Sequence, residues 1–274
     1  MIDFKDITVD DKEVIQGYTL NSEYRNCDFS FSNLCSWRLL YKTQYATYKD
    51  HLIIRFWNGN TLSYLYPIGN GNTKEVIEDM MQDAKQQGQA FSMKGVCTSI
   101  VPKIKEMFPD RVTFEGDRDY SDYIYLRENL ANLTGKKYQS KRNHINKFKN
   151  TYTSYEYLPL TADKIADCIK LEAEWCKAKN CDEIKDAANE RMALTFALNN
   201  FEKIGLSGGV LYVNGQIVAF TFGMPISNTT FGVNVEKANT DIDGAYAVIN
   251  NEFAKRIPEQ YQYINREEDL GIEG

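Results

Sequence analysis

The chain has 274 residues, 43% hydrophobic and 26% charged, enough for two domains or one large one and ordinary for a folded soluble protein. A net charge of −6 and a pI near 5.2 disfavour general DNA or tRNA binding. With two histidines, His51 and His144, and no G-x-S-x-G, H-E-x-x-H, Walker loop or strand-following G-x-G-x-x-G, most hydrolase, protease and nucleotide-driven chemistries are disfavoured as well.

Residues 1–6 are acidic and lack an apolar h-region, so no signal peptide is expected. No apolar run approaches the roughly 18 residues of a membrane span, and a cytoplasmic protein is expected. The pattern then predicts a helix over Asn33–Tyr41 carrying Leu34, Trp37 and Leu40, and strands over Tyr45–Lys49, Leu52–Trp57 and Thr61–Pro67 with a turn at Asn58–Asn60. Thr73 is the expected N-cap of a helix to Gln87. A strand at Ala90–Met93, a helix at Ser99–Phe108, and strands at Val112–Glu115 and Ser121–Leu126 complete the first half.

Residues 135–149 hold six Lys or Arg and no Asp or Glu. Subtracting these six from −6 leaves −12 on the remainder, so one cationic segment stands on an acidic molecule. Tyr138, Ile145 and Phe148 share one side at helical spacing, so the segment can dock while its basic side stays accessible. It reads either as a solvated helix face or as a site for an anionic group.

Beyond it, the spacing predicts a helix from Thr161 or Asp163 through Ile165, Ile169 and Trp175, and another over Glu190–Phe201. Gly209–Val213 and Gln216–Gly223 flank Asn214-Gly215, the dipeptide favoured in type I′ hairpin turns. A strand at Thr229–Glu236, a helix from Asp241 to Ile257 and a strand at Tyr261–Asn265 follow. Each half thus reads as helix, meander of strands, helix, strand. The expectation is two tandem α+β domains, residues 1–130 and 159–274, joined by the basic helix and connection of 131–158. The cysteines Cys27, Cys35, Cys97, Cys168, Cys176 and Cys181 form no C-x-x-C pair, so reduced packing residues rather than a metal site are expected.

The order hairpin, strand, turn, helix, strand in the second half resembles the core of the GCN5-related N-acetyltransferase (GNAT) superfamily. Its members cradle a pyrophosphate in a loop of the type Q/R-x-x-G-x-G/A at the helix after a central strand. In Asn239–Ala245 only Gly244-Ala245 fits, and Ile242 stands at the first glycine position. The longer segments Leu133–Phe148, Leu206–Gly223 and Asn265–Gly274 resemble the DUF2156 domain, shared with the C-terminal catalytic part of phosphatidylglycerol lysyltransferases. That similarity covers nearly the whole chain and is specific for the family, not for a reaction. The chain lacks the multi-helix membrane part of the lysyltransferases. Relatives of this type continue past the position of Gly274 with a basic segment and a final strand.

The resemblance implies two tandem GNAT-like domains and transfer of an activated acyl group, from acyl-CoA or aminoacyl-tRNA, to an amine or hydroxyl of an anionic, small or lipid-like acceptor. Direct attack on an acyl carbonyl needs positioning, an oxyanion donor and a base, and no histidine. Glu267 and Asp269 are the expected bases, with Glu236 at the end of the central strand a further candidate. Adjacent carboxylates including Glu268 repel, which raises one pKa toward neutrality. Val233, Asn234, Val235, Thr240, Ile242, Gly244, Ala245 and Tyr246 are expected to hold coenzyme A or another donor. Lys136, Lys137, Lys141, Arg142 and Asn265 are expected to hold the acceptor, the cations facing an interdomain groove. A binding domain for a phosphorylated metabolite or RNA end, without turnover, is the alternative.

Overall fold

Runs of alternating apolar residues build two six-stranded sheets, seen in a computed structural model that describes residues 1–178 and 185–269. Cys181 and residues 270–274 of the expected second domain lie outside the described residues. The first sheet holds β1 (Lys5–Asp6), β2 (Gln44–Tyr48), β3 (His51–Asn58), β4 (Thr61–Leu65), β5 (Ile68–Gly69) and β6 (Met93–Lys94), in the order β1-β2-β3-β4-β6 with β5 beside β3. Around it lie α1 (Lys12–Thr19), α2 (Phe31–Ser36), α3 (Arg38–Tyr41), α4 (Thr73–Gln86) and α5 (Val101–Met107). The second sheet runs β7 (Asp122–Leu126), β12 (Tyr263–Glu268), β11 (Thr230–Ala238), β10 (Gln216–Ser227), β9 (Ser207–Val213) and β8 (Tyr155–Pro159). Its helices are α6 (Arg127–Asn132), α7 (Gln139–Thr151), α8 (Ile165–Ala178), α9 (Lys185–Asn199), α10 (Phe201–Ile204) and α11 (Ala245–Arg256).

One construction occurs twice. The antiparallel meander β2-β3-β4 crosses through α4 to β6, which pairs parallel to β4. The meander β9-β10-β11 crosses through α11 to β12, which pairs parallel to β11. A helical crossover is what a parallel pair requires. The protein is thus two tandem GNAT-like α+β units.

Several local expectations change. The helix over Asn33–Tyr41 is two helices broken at Trp37, the second ending at Lys42 in the left-handed region. The N-cap of α4 is Asn72, whose side chain accepts from Glu75 N at 3.3 Å. Val112–Glu115 forms no strand, since no neighbouring strand pairs with it. β7, read from sequence as part of the first domain, is an edge strand of the second sheet, antiparallel to β12. The following α6 packs on the same unit, with Leu130 and Ala131 against Phe231, Phe253 and Ile264.

The two faces of the second sheet bury different partners. Val210, Phe220, Phe222 and Met224 join a core with Ile15, Phe31, Leu34, Tyr45 and Leu52 of the first unit and Leu194 and Leu198 of α9. Leu211, Val213 and Ala219 point the other way and pack with Ile145 and Phe148 of α7 and Val248 and Ile249 of α11. The period-two alternation of β9 and β10 enforces this division. It places the basic helix on the face opposite the first unit. Cys27, Cys35, Cys97 and Cys168 are free thiols. No described helix is long and apolar enough to cross a membrane.

Candidate functional site

The site grows from two irregularities in neighbouring strands. Val235 of β11 pairs with Phe222 and Val233 with Gly223, so Asn234 is an extra residue that leaves the ladder as a bulge. β11 and β12 pair only from Thr230 to Gly232, beside Tyr263–Asn265, and then separate. Beyond that point β12 has its own irregularity against β7, between Asn265 and Glu268. Glu267 sits in it at φ +65°, a left-handed conformation that costs a non-glycine residue energy and that clusters at functional sites. Its backbone N–H donates to Asn265 Oδ1 at 2.8 Å, which holds the turn.

This conformation delivers the Glu267 carboxylate to the junction of the two units. Asn33 Nδ2 of α2 donates to both of its oxygens, at 3.1 and 2.9 Å, and Asn234 Nδ2 donates to Oε1 at 3.0 Å. Asn234 Nδ2 also lies 3.2 Å from Ser30 Oγ and 3.1 Å from Asn33 Oδ1, while its own Oδ1 has no partner among the described residues. Burial pushes the Glu267 carboxyl up to about 8, against the opposing pull of the Asn234, Asn33 and Cys27 hydrogen bonds. Neighbouring carboxyls share the environment. Burial and the Asp28 and Asp122 charges push Glu268 up to about 7, and burial with Asp122 pushes Asp28 up to about 6. The Cys27 thiol is buried beside these carboxylates and pushed well up, which makes it a poor nucleophile. The ligand atoms of Cys27, Asp28 and Glu268 lie within 4.8 Å of one another, a donor set with the spacing of a cation site.

The other expected bases are elsewhere. Asp269 accepts from Tyr123 OH at 2.9 Å and Arg118 Nε at 3.3 Å beside the β7 edge. Glu236 is tied to Arg266 at 2.9 Å and Asn250 at 3.0 Å, bridging the gap where β11 and β12 part. Asn265 is fully buried, and Nδ2 donates to Arg25 O at 2.6 Å and Asp122 Oδ2 at 2.8 Å. It positions Glu267 and does not line a groove.

The expected donor turn is occupied by the protein itself. Gly244 caps α11 at φ +85°, and a Cβ there would lie 2.7 Å from the His144 carbonyl of α7. The close approach that this glycine allows is therefore made by α7. Asp243 pairs with Lys147 at 2.6 Å, Ala245 N–H donates to Ile242 O at 3.1 Å, and Ile242 packs toward α7. Thr240 and Tyr246 are exposed, Val233 packs under α11 with Phe253, and Val235 joins the interdomain core. A notch filled by backbone and flanked by Asp241 and Asp243 does not fit the pyrophosphate of coenzyme A.

The basic residues do not face the interdomain groove either. Lys136, Lys137 and Lys141 are exposed on the outer face, Lys137 over the Tyr138 ring. Arg142 donates to the carbonyls of Leu133 and Gly135, closing the turn before α7. The cause is the docking of Ile145 and Phe148 against α11, which fixes the direction of the whole helix. Sequence reading missed Asn33 and Asp122 as neighbours of Glu267; the helix and the strand that carry them are legible, but only the tertiary fold joins them to the last strand.

The comparisons with known proteins agree with this architecture. A crystal structure of a conserved protein of unknown function from Bacteroides thetaiotaomicron is 59% identical, matching 100% of this chain and 92% of that one at a TM-score of 0.98. The C-terminal DUF2156 domain structure from Agrobacterium fabrum is 10% identical at a TM-score of 0.65, covering 94% of this chain and 78% of that one. The structure of L-PGS from Bacillus licheniformis is 15% identical at 0.60, with 97% and 82% covered. No curated protein matches the chain. The sequence profile described as phosphatidylglycerol lysyltransferase, C-terminal, matches residues 21–274. The chain belongs to that family.

Proposed function

We propose that the chain transfers an aminoacyl or similar activated acyl group to an amine or hydroxyl of an anionic, small or lipid-like acceptor, with Glu267 accepting the proton. The observation that carries this reading is the Glu267 carboxyl, enclosed at the junction and held by Asn33 from one unit and Asn234 from the other. A base works best when its pKa lies near the working pH, and about 8 meets that condition. The acceptor nitrogen or oxygen attacks the acyl carbonyl carbon and its proton passes to Glu267. The carbonyl re-forms as the bond to the donor oxygen breaks, and that oxygen leaves with a proton. The lysyltransferase family of this domain and the poor fit of pyrophosphate at Gly244 favour an aminoacyl ester, such as the acceptor end of an aminoacyl-tRNA, over acyl-CoA as donor. We place the reaction in the cytoplasm, where free thiols stay reduced.

The test is mass spectrometry of the full chain incubated with a panel of aminoacyl-tRNAs and acyl-CoAs and a pool of anionic acceptors. Glu267→Gln should lower product formation about 10²–10⁴-fold, the usual contribution of a positioned proton acceptor. The wild-type rate should rise with pH through about 8, as the carboxyl ionises. Bound ligand with no acylated product across the panel would replace transfer by binding alone. A turnover unchanged in folded Glu267→Gln would remove Glu267 from the mechanism.

A further inference from the structure

The backbone ladder between β11 and β12 stops at Gly232 and Asn265, although β11 continues to Ala238 and β12 to Glu268. Beyond that point the two strands are not paired, and their spacing is left to side chains. Two side-chain bridges cross the gap, one on each face of the sheet. Toward the first unit, Asn234 Nδ2 of β11 donates to Glu267 Oε1 of β12 at 3.0 Å. Toward α11, Arg266 Nη2 of β12 donates to Glu236 Oε1 of β11 at 2.9 Å, and Asn250 Nδ2 of α11 donates to Glu236 Oε2 at 3.0 Å. The same stretch of the two strands is thus clamped from both sides.

The second bridge is built to fix a distance. Both Glu236 oxygens are engaged, by partners from two different elements, and its side chain is only 9% exposed. A shielded carboxylate with bonds at both oxygens holds a tighter geometry than an ion pair on an open surface. Glu267 needs such support, because its φ of +65° persists only where the surroundings over-determine it. Of its chain neighbours, Asn265 is pinned to Arg25 O and Asp122, and Arg266 is pinned to Glu236. Asn234, which donates to Glu267, stands two residues before Glu236 on the same strand. Loss of the Glu236 bridge frees β12 to move against β11, and the Asn234–Glu267 contact moves with it. Glu236 lies on the opposite face from Glu267, so it acts on the junction through the strands and not by contact.

We propose that Glu236, Arg266 and Asn250 are positioning residues, which set the width of the β11–β12 gap and thereby hold Glu267 against Asn234. The kinetic consequence rests on the reading of Glu267 as proton acceptor; the geometric one does not.

Two measurements on the full chain test the two parts. The Glu267 amide, which donates to buried Asn265 Oδ1, reports the left-handed turn directly. Its hydrogen exchange, followed by NMR, should speed up about tenfold in Glu236→Leu and in Arg266→Met while the amides of β3 keep their rates, as local opening does. Glu236→Gln keeps an acceptor for Arg266, and a turn of the Asn250 amide supplies an acceptor for the new NH2, so its exchange should stay at the wild-type rate. Should both disruptive variants fail to fold, Asn250→Ala removes one of the two bonds and should give an acceleration of about threefold. An unchanged Glu267 amide in the folded variants, or equal acceleration throughout the second sheet, overturns the proposal. In turnover, Glu236→Leu should lose about 10²-fold in kcat with KM little changed, the cost of a misplaced reacting group, and Glu236→Gln should restore it. Glu236→Gln as inactive as Glu236→Leu would make Glu236 a base in its own right and overturn the positioning role. Absence of turnover in wild type across the donor panel would remove the Glu267 reading, and the exchange result would still decide the geometry.

Discussion

The two units share a construction and differ in how they treat buried polar groups. In the first, the buried polar side chains around Asp83 and His51 are matched. Asp83 Oδ2 accepts from Arg55 at 2.8 Å and Tyr64 OH at 2.5 Å, and Arg55 also donates twice to Gln44 Oε1, at 3.0 and 2.8 Å. Fully buried His51 uses both ring nitrogens, with Lys49 O at 2.8 Å and Thr73 Oγ1 at 3.0 Å. Of the seven buried polar atoms without partners among the described residues, six belong to the second unit and only Ser36 Oγ to the first. One meander has become a satisfied scaffold that lends Asn33 and Asp28 to the junction. The other keeps unmet groups where its strands bulge and part, as functional surfaces do.

That contrast can be broken first with a pair of substitutions. Asp83→Ala leaves Arg55 and Tyr64 without their acceptor in a buried place, and should cost about 3–5 kcal/mol. Glu172→Met removes a buried carboxyl whose Oε2 has no hydrogen-bond partner among the described residues, and should be neutral or stabilising by about 1 kcal/mol. Denaturant unfolding of both variants measures the two values. Equal destabilisation would erase the distinction between a matched scaffold and an unmatched site.

The next effect is in pH. Glu267, Glu268 and Asp28 are raised from 4.5, 4.5 and 3.8 to about 8, 7 and 6. A carboxyl with a raised folded pKa binds its proton more tightly in the folded state. Its contribution is therefore full below the unfolded pKa and lost as pH climbs through the folded value. Stability should fall between about pH 5 and 9, with one pKa unit worth at most about 1.4 kcal/mol for each group. In Glu267→Gln the fall should be shallower and finish earlier, because the highest-titrating group is gone. Melting temperatures across that range decide it, and parallel curves for the two proteins would show that Glu267 is not the raised group.

Local chemistry made much of this fold legible in advance. Asn214 and Gly215 adopt φ +51° and +77°, the pair of positive angles their hairpin turn needs, between strands placed by their own apolar runs. Glu267 could be picked out as a carboxylate beyond the last strand, but its partner Asn33 lies 234 positions away. No periodicity links the two. β7 was readable as a strand and not as a member of the second sheet, because its pairing partner β12 is more than a hundred residues later. Gly244 was readable as a glycine that permits close approach; which backbone approaches is a tertiary fact.

Gly244 gives the third test. Gly244→Ala forces a Cβ against the His144 carbonyl at a positive φ and should cost about 1–3 kcal/mol. If α7 is what fills the notch, the loss appears as a lower melting temperature with unaltered donor affinity. A protein of unchanged stability that no longer binds donor would return this turn to a ligand-cradling role.

The smallest effects should separate two neighbours in the basic segment. Arg142 is half-buried and holds the carbonyls of Leu133 and Gly135, one of them an orphan of the α6 terminus. Arg142→Ala should therefore cost about 1–3 kcal/mol, the worth of charge-assisted bonds to partly buried acceptors. Lys141 is one residue earlier, exposed, and points from the opposite side of the sheet to the first unit. Lys141→Glu should change stability by less than about 0.5 kcal/mol, as surface substitutions do. It should also leave the binding of a small anionic probe at the junction unchanged, since the sheet and its two cores stand between them. More than a threefold loss of that binding in folded Lys141→Glu would mean that the helix reaches the junction after all.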